Sequence, residues 1–384
     1  MAEAAPRRVA LFLDGTWNFI NNNTNVWRLK SLCDQSPEQK VYYSVGVGTA
    51  RGEAVTGGMF GIGINEEVIA AYEWLMENYS LHDRIFIFGF SRGAFTARSL
   101  AGFIAKCGLL EPGSPLSMDQ LYARYRNGTA KSILALSNED AAHLALEDRW
   151  LKKYSRPIPV WFQGVWDTVG TLGVPLPYFP RVSRSSFKFL EVDLRINQTH
   201  AYHALAIDEH RPSFKPTLWK KVANKIGENI PPRPFDHVEQ RWFVGAHSNV
   251  GGGYESDLLA QTLLAWIAAK AQQHGLVLKC DIDIDAGAAQ CRIRDSLAEM
   301  MHGVYRVLTL NHHYYRPIGS DPVEDATSIT NTINESIDGS VFDRVRADVH
   351  YRPPNLAEWA KRRAVNVTAI TGPVKAHNPA EAAP

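Results

Sequence analysis

The sequence predicts an α/β protein with a mostly parallel sheet covered by helices on both faces. Three observations carry the prediction. The continuous apolar run Val9–Leu13 and the similar stretch Arg84–Phe88 suit strands buried on both faces. These runs alternate with stretches of helical period. Four expected strand ends carry distinctive polar residues, Asp14, Ser91, Asp167 and His247. Ligands in open parallel sheets bind at such carboxyl ends.

The elements follow in order. Val9–Leu13 stops at Asp14-Gly15, and Val41–Val47 is the second strand. A glycine-rich loop spans 48–63. Asn65–Tyr79 places Val68, Ile69, Tyr72, Leu75 and Met76 on one helical face. Arg84–Phe88 ends at Gly89, and Ala94–Cys107 has the composition of a helix packed on a sheet. Residues 111–155 read as a more polar helical insertion. Val160–Phe162 and Val165-Trp166 make the next strand, ending at Asp167. The proline- and aromatic-rich stretch 173–235 has no clear period and reads as loops and cap. Arg241–Val244 is one more strand, and Leu258–Gln273 a helix. Beyond 310 the chain reads as irregular. The expectation is one domain over 8–370 with cap insertions near 111–155 and 173–238. A flexible N-terminus (1–7) precedes it and a disordered tail (371–384) follows.

Composition narrows the function classes. The 384 residues are 45% hydrophobic and 21% charged, an ordinary globular balance, and the net charge is +1. That charge gives no general attraction to nucleic acid. Cys33, Cys107, Cys280 and Cys291 lack CxxC spacing, which argues against a zinc knuckle. Met1–Arg8 lacks the apolar core of a signal peptide. No apolar run approaches the roughly 20 residues of a membrane helix. The chain thus reads as made in the cytoplasm, with signal-independent export left open.

Chemistry concentrates at Gly89-Phe90-Ser91-Arg92-Gly93. Gly-x-Ser-x-Gly between a buried strand and a helix is a nucleophile elbow, so the expected architecture is α/β-hydrolase-like. Small neighbours permit the sharp turn that lifts the serine above the sheet. The same turn aims the Arg92 N–H and a helix N-terminus at the reacting carbon's oxygen. A serine hydroxyl needs a base to take its proton. In this fold the partners follow in the order Ser, acid, His. Asp167 and His247 satisfy that order in glycine-flanked loops, which predicts a Ser91–His247–Asp167 triad. Asp208 is the alternative acid, with pairing to Arg211 its first expected role. Gly15 and Thr16 are the candidates for a second oxyanion donor. Leu172, Val174, Tyr178 and Phe179 follow the acid loop and could line an acyl pocket or simply pack a loop.

Rival motifs carry less. Haloacid-dehalogenase phosphatases have Asp-x-Asp-Gly-Thr after the first strand, but Phe12 stands at the first Asp position. Asp14 therefore reads as a fastener of loops. Gly57–Gly63 is neither a dinucleotide fingerprint nor a P-loop. Asp281, Asp283 and Asp285 read as a solvated strand face, with calcium the alternative. His312–Tyr315 reads as packing, because adjacent strand side chains point to opposite faces.

Leu11–Asn18, Gly89–Phe95, Gly164–Gly170 and Trp242–Tyr254 together resemble one family, the first family of type VI secretion lipase effectors. Ala204–Arg211 and Tyr351–Leu356 extend the resemblance, which runs from about Arg8 to Leu356. It implies an α/β-hydrolase domain whose triad falls on Ser91, Asp167 and His247. It also implies a phospholipase activity on fatty acyl esters of membrane lipids, with peripheral membrane contact. No cofactor or metal is expected from such a mechanism. A hydrolase-fold binding or assembly module of a secretion or defence system, and a cytoplasmic esterase or thioesterase, are the alternatives.

Overall fold

Eight strands form the main sheet of the computed structural model: β1 (Arg8–Leu13), β2 (Gln39–Ser44), β3 (Arg84–Phe90), β4 (Val160–Trp166), β5 (Gln198–Ala206), β6 (Val238–Phe243), β7 (Glu335–Ile337) and β8 (Val374–Lys375). Their order across the sheet is β8-β7-β6-β5-β4-β3-β1-β2. Every neighbouring pair is parallel except β7 with β8. The structure describes residues 6–15, 23–46, 59–170, 194–195, 197–221, 233–255, 257–299, 306, 309–320, 323–324 and 329–384.

Side-chain alternation along the strands builds two cores. Val9, Leu11, Ile85 and Ile87 face α2 (Met59–Asn78) and α3 (Arg92–Cys107). Ala10, Phe12, Phe86 and Phe88 face α1 (Asn25–Leu32) and α8 (Leu259–Gln273) on the other side. Phe12 and Phe88 stack there with ring centroids 4.9 Å apart. The fold is therefore α/β-hydrolase-like: a mostly parallel sheet with helices on both faces.

Helices α4 (Met118–Arg126), α5 (Ile133–Ser137) and α6 (Leu146–Tyr154) occupy the polar stretch 111–155. They pack outside α3, where Phe103 meets Tyr122 and Tyr125. The short α7 (His247–Gly251) follows β6 directly. Helix α9 (Ser296–Glu299) comes next, then α10 (Gly339–Ala347) and α11 (Pro354–Arg363), which build a third core with Trp242, Ile337, Phe342 and Trp359.

The structure departs from the sequence expectation in several places. β5 lies within the stretch expected to be loops and cap, yet it sits at the centre of the sheet. Its sequence, QTHAYHALA, is buried but partly polar, so it shows no continuous apolar run. The region beyond 310 is not irregular: it supplies β7, α10, α11 and β8. The tail from Thr371, expected to be disordered, is ordered because β8 pairs with β7 and the Ala376 carbonyl accepts the Trp359 indole N–H at 2.8 Å. At the other end Arg7, assigned to a flexible terminus, forms an ion pair with Asp83 at 2.6 Å. α2 starts at Met59, before Asn65, running through two glycines that lowered the helical expectation. Asp281, Asp283 and Asp285 are exposed but lie in no strand.

Candidate active site

Ser91 stands between β3 and α3 with φ 58° and ψ −120°, a left-handed backbone that a non-glycine residue rarely adopts. The flanking glycines make this possible. A Cβ on Gly93 would lie 2.1 Å from the Leu13 carbonyl oxygen, and one on Gly89 2.4 Å from the Gly93 carbonyl oxygen. The Ser91 N–H donates to the Trp166 carbonyl at 3.1 Å, tying the elbow to the end of β4. The N-terminus of α3 points its positive end at the serine.

Asp167 follows β4 directly and also has a positive φ, 38°. Its N–H bonds the Ala204 carbonyl at 2.8 Å, so the neighbouring β5 holds the turn. His247 opens α7 at the end of β6. Ser91 Oγ donates to His247 Nε2 at 2.8 Å, and His247 Nδ1 donates to Asp167 Oδ2 at 2.6 Å. An ionised carboxylate only accepts, so Nδ1 carries the proton and Nε2 is the free base. Three strand ends thus bring the three predicted residues into one chain of hydrogen bonds. Such a chain can move a proton from a serine to an imidazole.

Burial and charge tune the chain. Asp167 is wholly buried. Burial alone would raise its pKa, but the Arg316 guanidinium and the His247 imidazole outweigh it and hold the carboxyl well below the usual range. Burial pushes the His247 imidazole below its ordinary value against the pull of Asp167, which favours its neutral form. The Phe90 ring lies 4.7 Å from the imidazole, and the Phe214 ring stands edge-on at 5.0 Å.

Acidic residues from the turn after β5 brace the histidine loop. Asp208 accepts the Gly245 N–H at 2.7 Å and the Tyr351 hydroxyl at 3.1 Å. The hydrogen bond from the imidazole goes to Asp167 and not to Asp208, and Arg211 pairs with Glu209, at 2.8 Å. Glu209 also accepts the His247 N–H at 3.2 Å and the Ser296 hydroxyl at 3.0 Å. Burial works against its charge, but Arg211 brings it down to about 2.

Asp14 fastens loops: its carboxylate accepts the Thr24 hydroxyl at 2.5 Å and the Tyr43 hydroxyl at 3.1 Å. The Gly15 N–H, a candidate oxyanion donor, is taken by Asp14 Oδ1 at 2.8 Å. Thr16, Leu172, Val174, Tyr178 and Phe179 lie outside the described residues. Among the described residues no group of three or more His, Cys, Asp or Glu side chains could hold a metal. No helix among them is long and apolar enough to cross a membrane.

Sequence reasoning missed Glu209 and Arg316. Glu209 sat in a segment already singled out, but the neighbouring Asp208 drew the attention. Arg316 had no local signal, since its partner Asp167 is 149 positions away.

Comparison with known proteins adds a family. Residues 7–270 match the family model described as T6SS, phospholipase effector Tle1-like, catalytic domain. The chain is 30% identical over 234 residues to an uncharacterized protein of Saccharomyces cerevisiae, covering 54% of this chain and 32% of that one. It is similar to a solved structure of an uncharacterized protein from Pseudomonas aeruginosa (20% identity, TM-score 0.45, 71% of this chain and 46% of that one). It is also similar to the Tle1 effector solved bound to the VgrG spike of the type 6 secretion system (19% identity, TM-score 0.33, 65% of this chain and 52% of that one). The chain spans about a third of the yeast relative's length and about half of each structure.

Proposed function

This chain belongs to the Tle1-like family of type VI secretion phospholipase effectors, through its catalytic domain, and on that premise we propose that it is a serine hydrolase of fatty acyl esters. Ser91 is the nucleophile, His247 the general base and then general acid, and Asp167 the partner that orients the imidazole. The observation that carries the reading is the position of His247, 2.8 Å from Ser91 Oγ and 2.6 Å from Asp167 Oδ2.

The steps follow from the atoms present. His247 Nε2 takes the Ser91 proton as Oγ attacks the ester carbonyl. Negative charge builds on the carbonyl oxygen, where the Arg92 N–H and the N-terminus of α3 stabilise it. The intermediate collapses as His247 returns the proton to the leaving alcohol, leaving an acyl-serine. Water, deprotonated by the same nitrogen, attacks the acyl carbon, and His247 passes the proton to Ser91 Oγ as the fatty acid leaves. Asp167 stays ionised throughout and stabilises the imidazolium. A second oxyanion donor comes from the Gly15-Thr16 loop. Thr16 is the better of the two, since Asp14 holds the Gly15 N–H. Leu172, Val174, Tyr178 and Phe179 stay the sequence's candidates for an acyl pocket, and the proposed substrate is a membrane glycerophospholipid met by peripheral contact.

A panel of phospholipids and short-chain esters, with products resolved by mass spectrometry, tests this. Ser91→Ala should lower turnover by on the order of 10⁶. A Ser91→Ala chain that released fatty acid at the parental rate would remove the assignment.

A further inference from the structure

We propose that Arg316 is a positioning residue for the acid–base pair, gripping both oxygens of Asp167 so that Oδ2 is turned toward His247; the proposal rests on the triad reading above. The fork is fully buried on both sides. Arg316 Nη1 donates to Asp167 Oδ1 at 2.6 Å and Nη2 to Oδ2 at 3.0 Å. A planar guanidinium in this two-pronged geometry fixes the plane of the carboxylate as well as its charge. The Ala206 N–H adds a third bond to Oδ1 at 3.1 Å. Oδ2 therefore keeps a direction open for the imidazole, and His247 Nδ1 fills it at 2.6 Å.

The same guanidinium reaches the surroundings of the histidine. Nη1 donates to the Ala206 carbonyl at 3.0 Å and Nη2 to the Phe214 carbonyl at 2.6 Å. Phe214 is the residue whose ring stands edge-on to His247. The Arg316 carbonyl is in turn held by Asn355 Nδ2 at 3.2 Å, from the start of α11. Arg316 and Asn355 both lie beyond residue 270, where the family match ends. The orientation of the catalytic acid thus depends on a part of the chain outside the matched region.

Charge gives the proposal a readout that simple stability would not move. A guanidinium against Asp167 offsets part of the negative field the carboxylate places on His247. Among the described residues, the other ionisable groups that act on the pair are Glu209 and Arg211 from the turn after β5 and His203 from β5, with Arg98 from α3 acting on His203. Glu209 and Arg211 pair with each other. Without Arg316, Asp167 faces His247 uncompensated and the imidazolium is favoured. The base must be neutral to work, so the acid limb of the rate profile moves to higher pH.

The test uses the full chain as wild type, Arg316→Lys, Arg316→Met, Asp167→Asn and the Asp167→Asn/Arg316→Met double variant. Hydrolysis of a soluble short-chain ester is followed against pH, and labelling by a fluorophosphonate is timed. Arg316→Met should lower kcat about 10- to 100-fold with KM little changed, and should shift the acid limb upward. Arg316→Lys should fall between, because one ammonium cannot span both oxygens. On the Asp167→Asn background, Arg316→Met should cost less than about threefold, since coupled sites are not additive. A parental rate and acid limb in Arg316→Met overturns the proposal, as does a full loss that persists on the Asp167→Asn background. If thermal melting shows Arg316→Met unfolded, Arg316→Lys decides, and a parental profile or a second unfolded chain overturns the proposal. A folded wild-type chain that neither labels nor hydrolyses overturns the triad reading itself, which separates the two failures.

Discussion

Along β1 and β3, the buried side chains from Val9 to Leu13 and from Ile85 to Phe88 are all apolar. Along β5, β6 and β7 the buried positions include Gln198, His200, His203, Glu239, Gln240, Arg241, Glu335 and Ser336. The first half of the sheet is held by the fit of aliphatic and aromatic shapes. The second adds polar groups that bond one another across the strands. Gln240 accepts the Trp219 N–H at 2.7 Å and donates to the Trp219 and Ile333 carbonyls at 3.0 and 2.7 Å. Glu335 accepts the Trp242 indole N–H at 2.8 Å and the Gly319 N–H at 2.9 Å. The difference teaches where tolerance lies: a packed half relaxes around a lost methylene, while a polar half pays for each partner left unpaired. The candidate triad straddles the two. Ser91 follows the apolar β3, His247 follows the polar β6, and Asp167 stands at the seam, just past β4.

The seam gives the largest effect. Asp167→Asn keeps the shape but should stop the carboxylate from fixing the His247 tautomer, lowering kcat on the order of 10⁴-fold. Steady-state kinetics on the folded variant checks it, and a loss below tenfold would mean the two halves do not meet functionally at Asp167. Next comes the polar half. Arg241 donates to Glu239 at 2.7 Å, with Glu239 wholly buried. Arg241→Met should cost about 3 kcal/mol by leaving that carboxylate short of its cation. Chemical denaturation reads this out, and a neutral result would show that Lys270, 4.0 Å from Glu239, and the Ser336 hydroxyl, which donates to it at 2.6 Å, suffice.

The comparison sharpens with a matched pair of small changes. Gln240→Leu keeps volume but orphans the Trp219 and Ile333 backbone groups, which should cost about 2 kcal/mol. Ile87→Val deletes one methylene in the apolar half and should cost about 1 kcal/mol. If the aliphatic change proved the costlier of the two, the contrast between the halves would fail.

That contrast also explains what was legible in the sequence. β1, β3 and β4 announced themselves as apolar runs, and the elbow and the polar residues at strand ends came with them. Ser91, Asp167 and His247 were singled out because each comes just past a recognisable strand. β5 stayed hidden because Gln198, His200 and His203 interrupt its apolar pattern. β6 was recognised only from Arg241 onward because Glu239 and Gln240, though buried, read as surface. Their partners, such as Trp219 and Ser336, are distant in sequence, so no local window reports the pairing. Arg316 is the extreme case: its contacts exist only once β5, the Phe214 turn and Asp167 have met.

Reaction of the full chain with a fluorophosphonate probe, followed by peptide mass mapping, tests the central claim most directly. One adduct is expected, on the peptide carrying Ser91, and none in a folded Ser91→Ala chain. An unlabelled but folded wild-type protein, or equal labelling of Ser91→Ala, would contradict it.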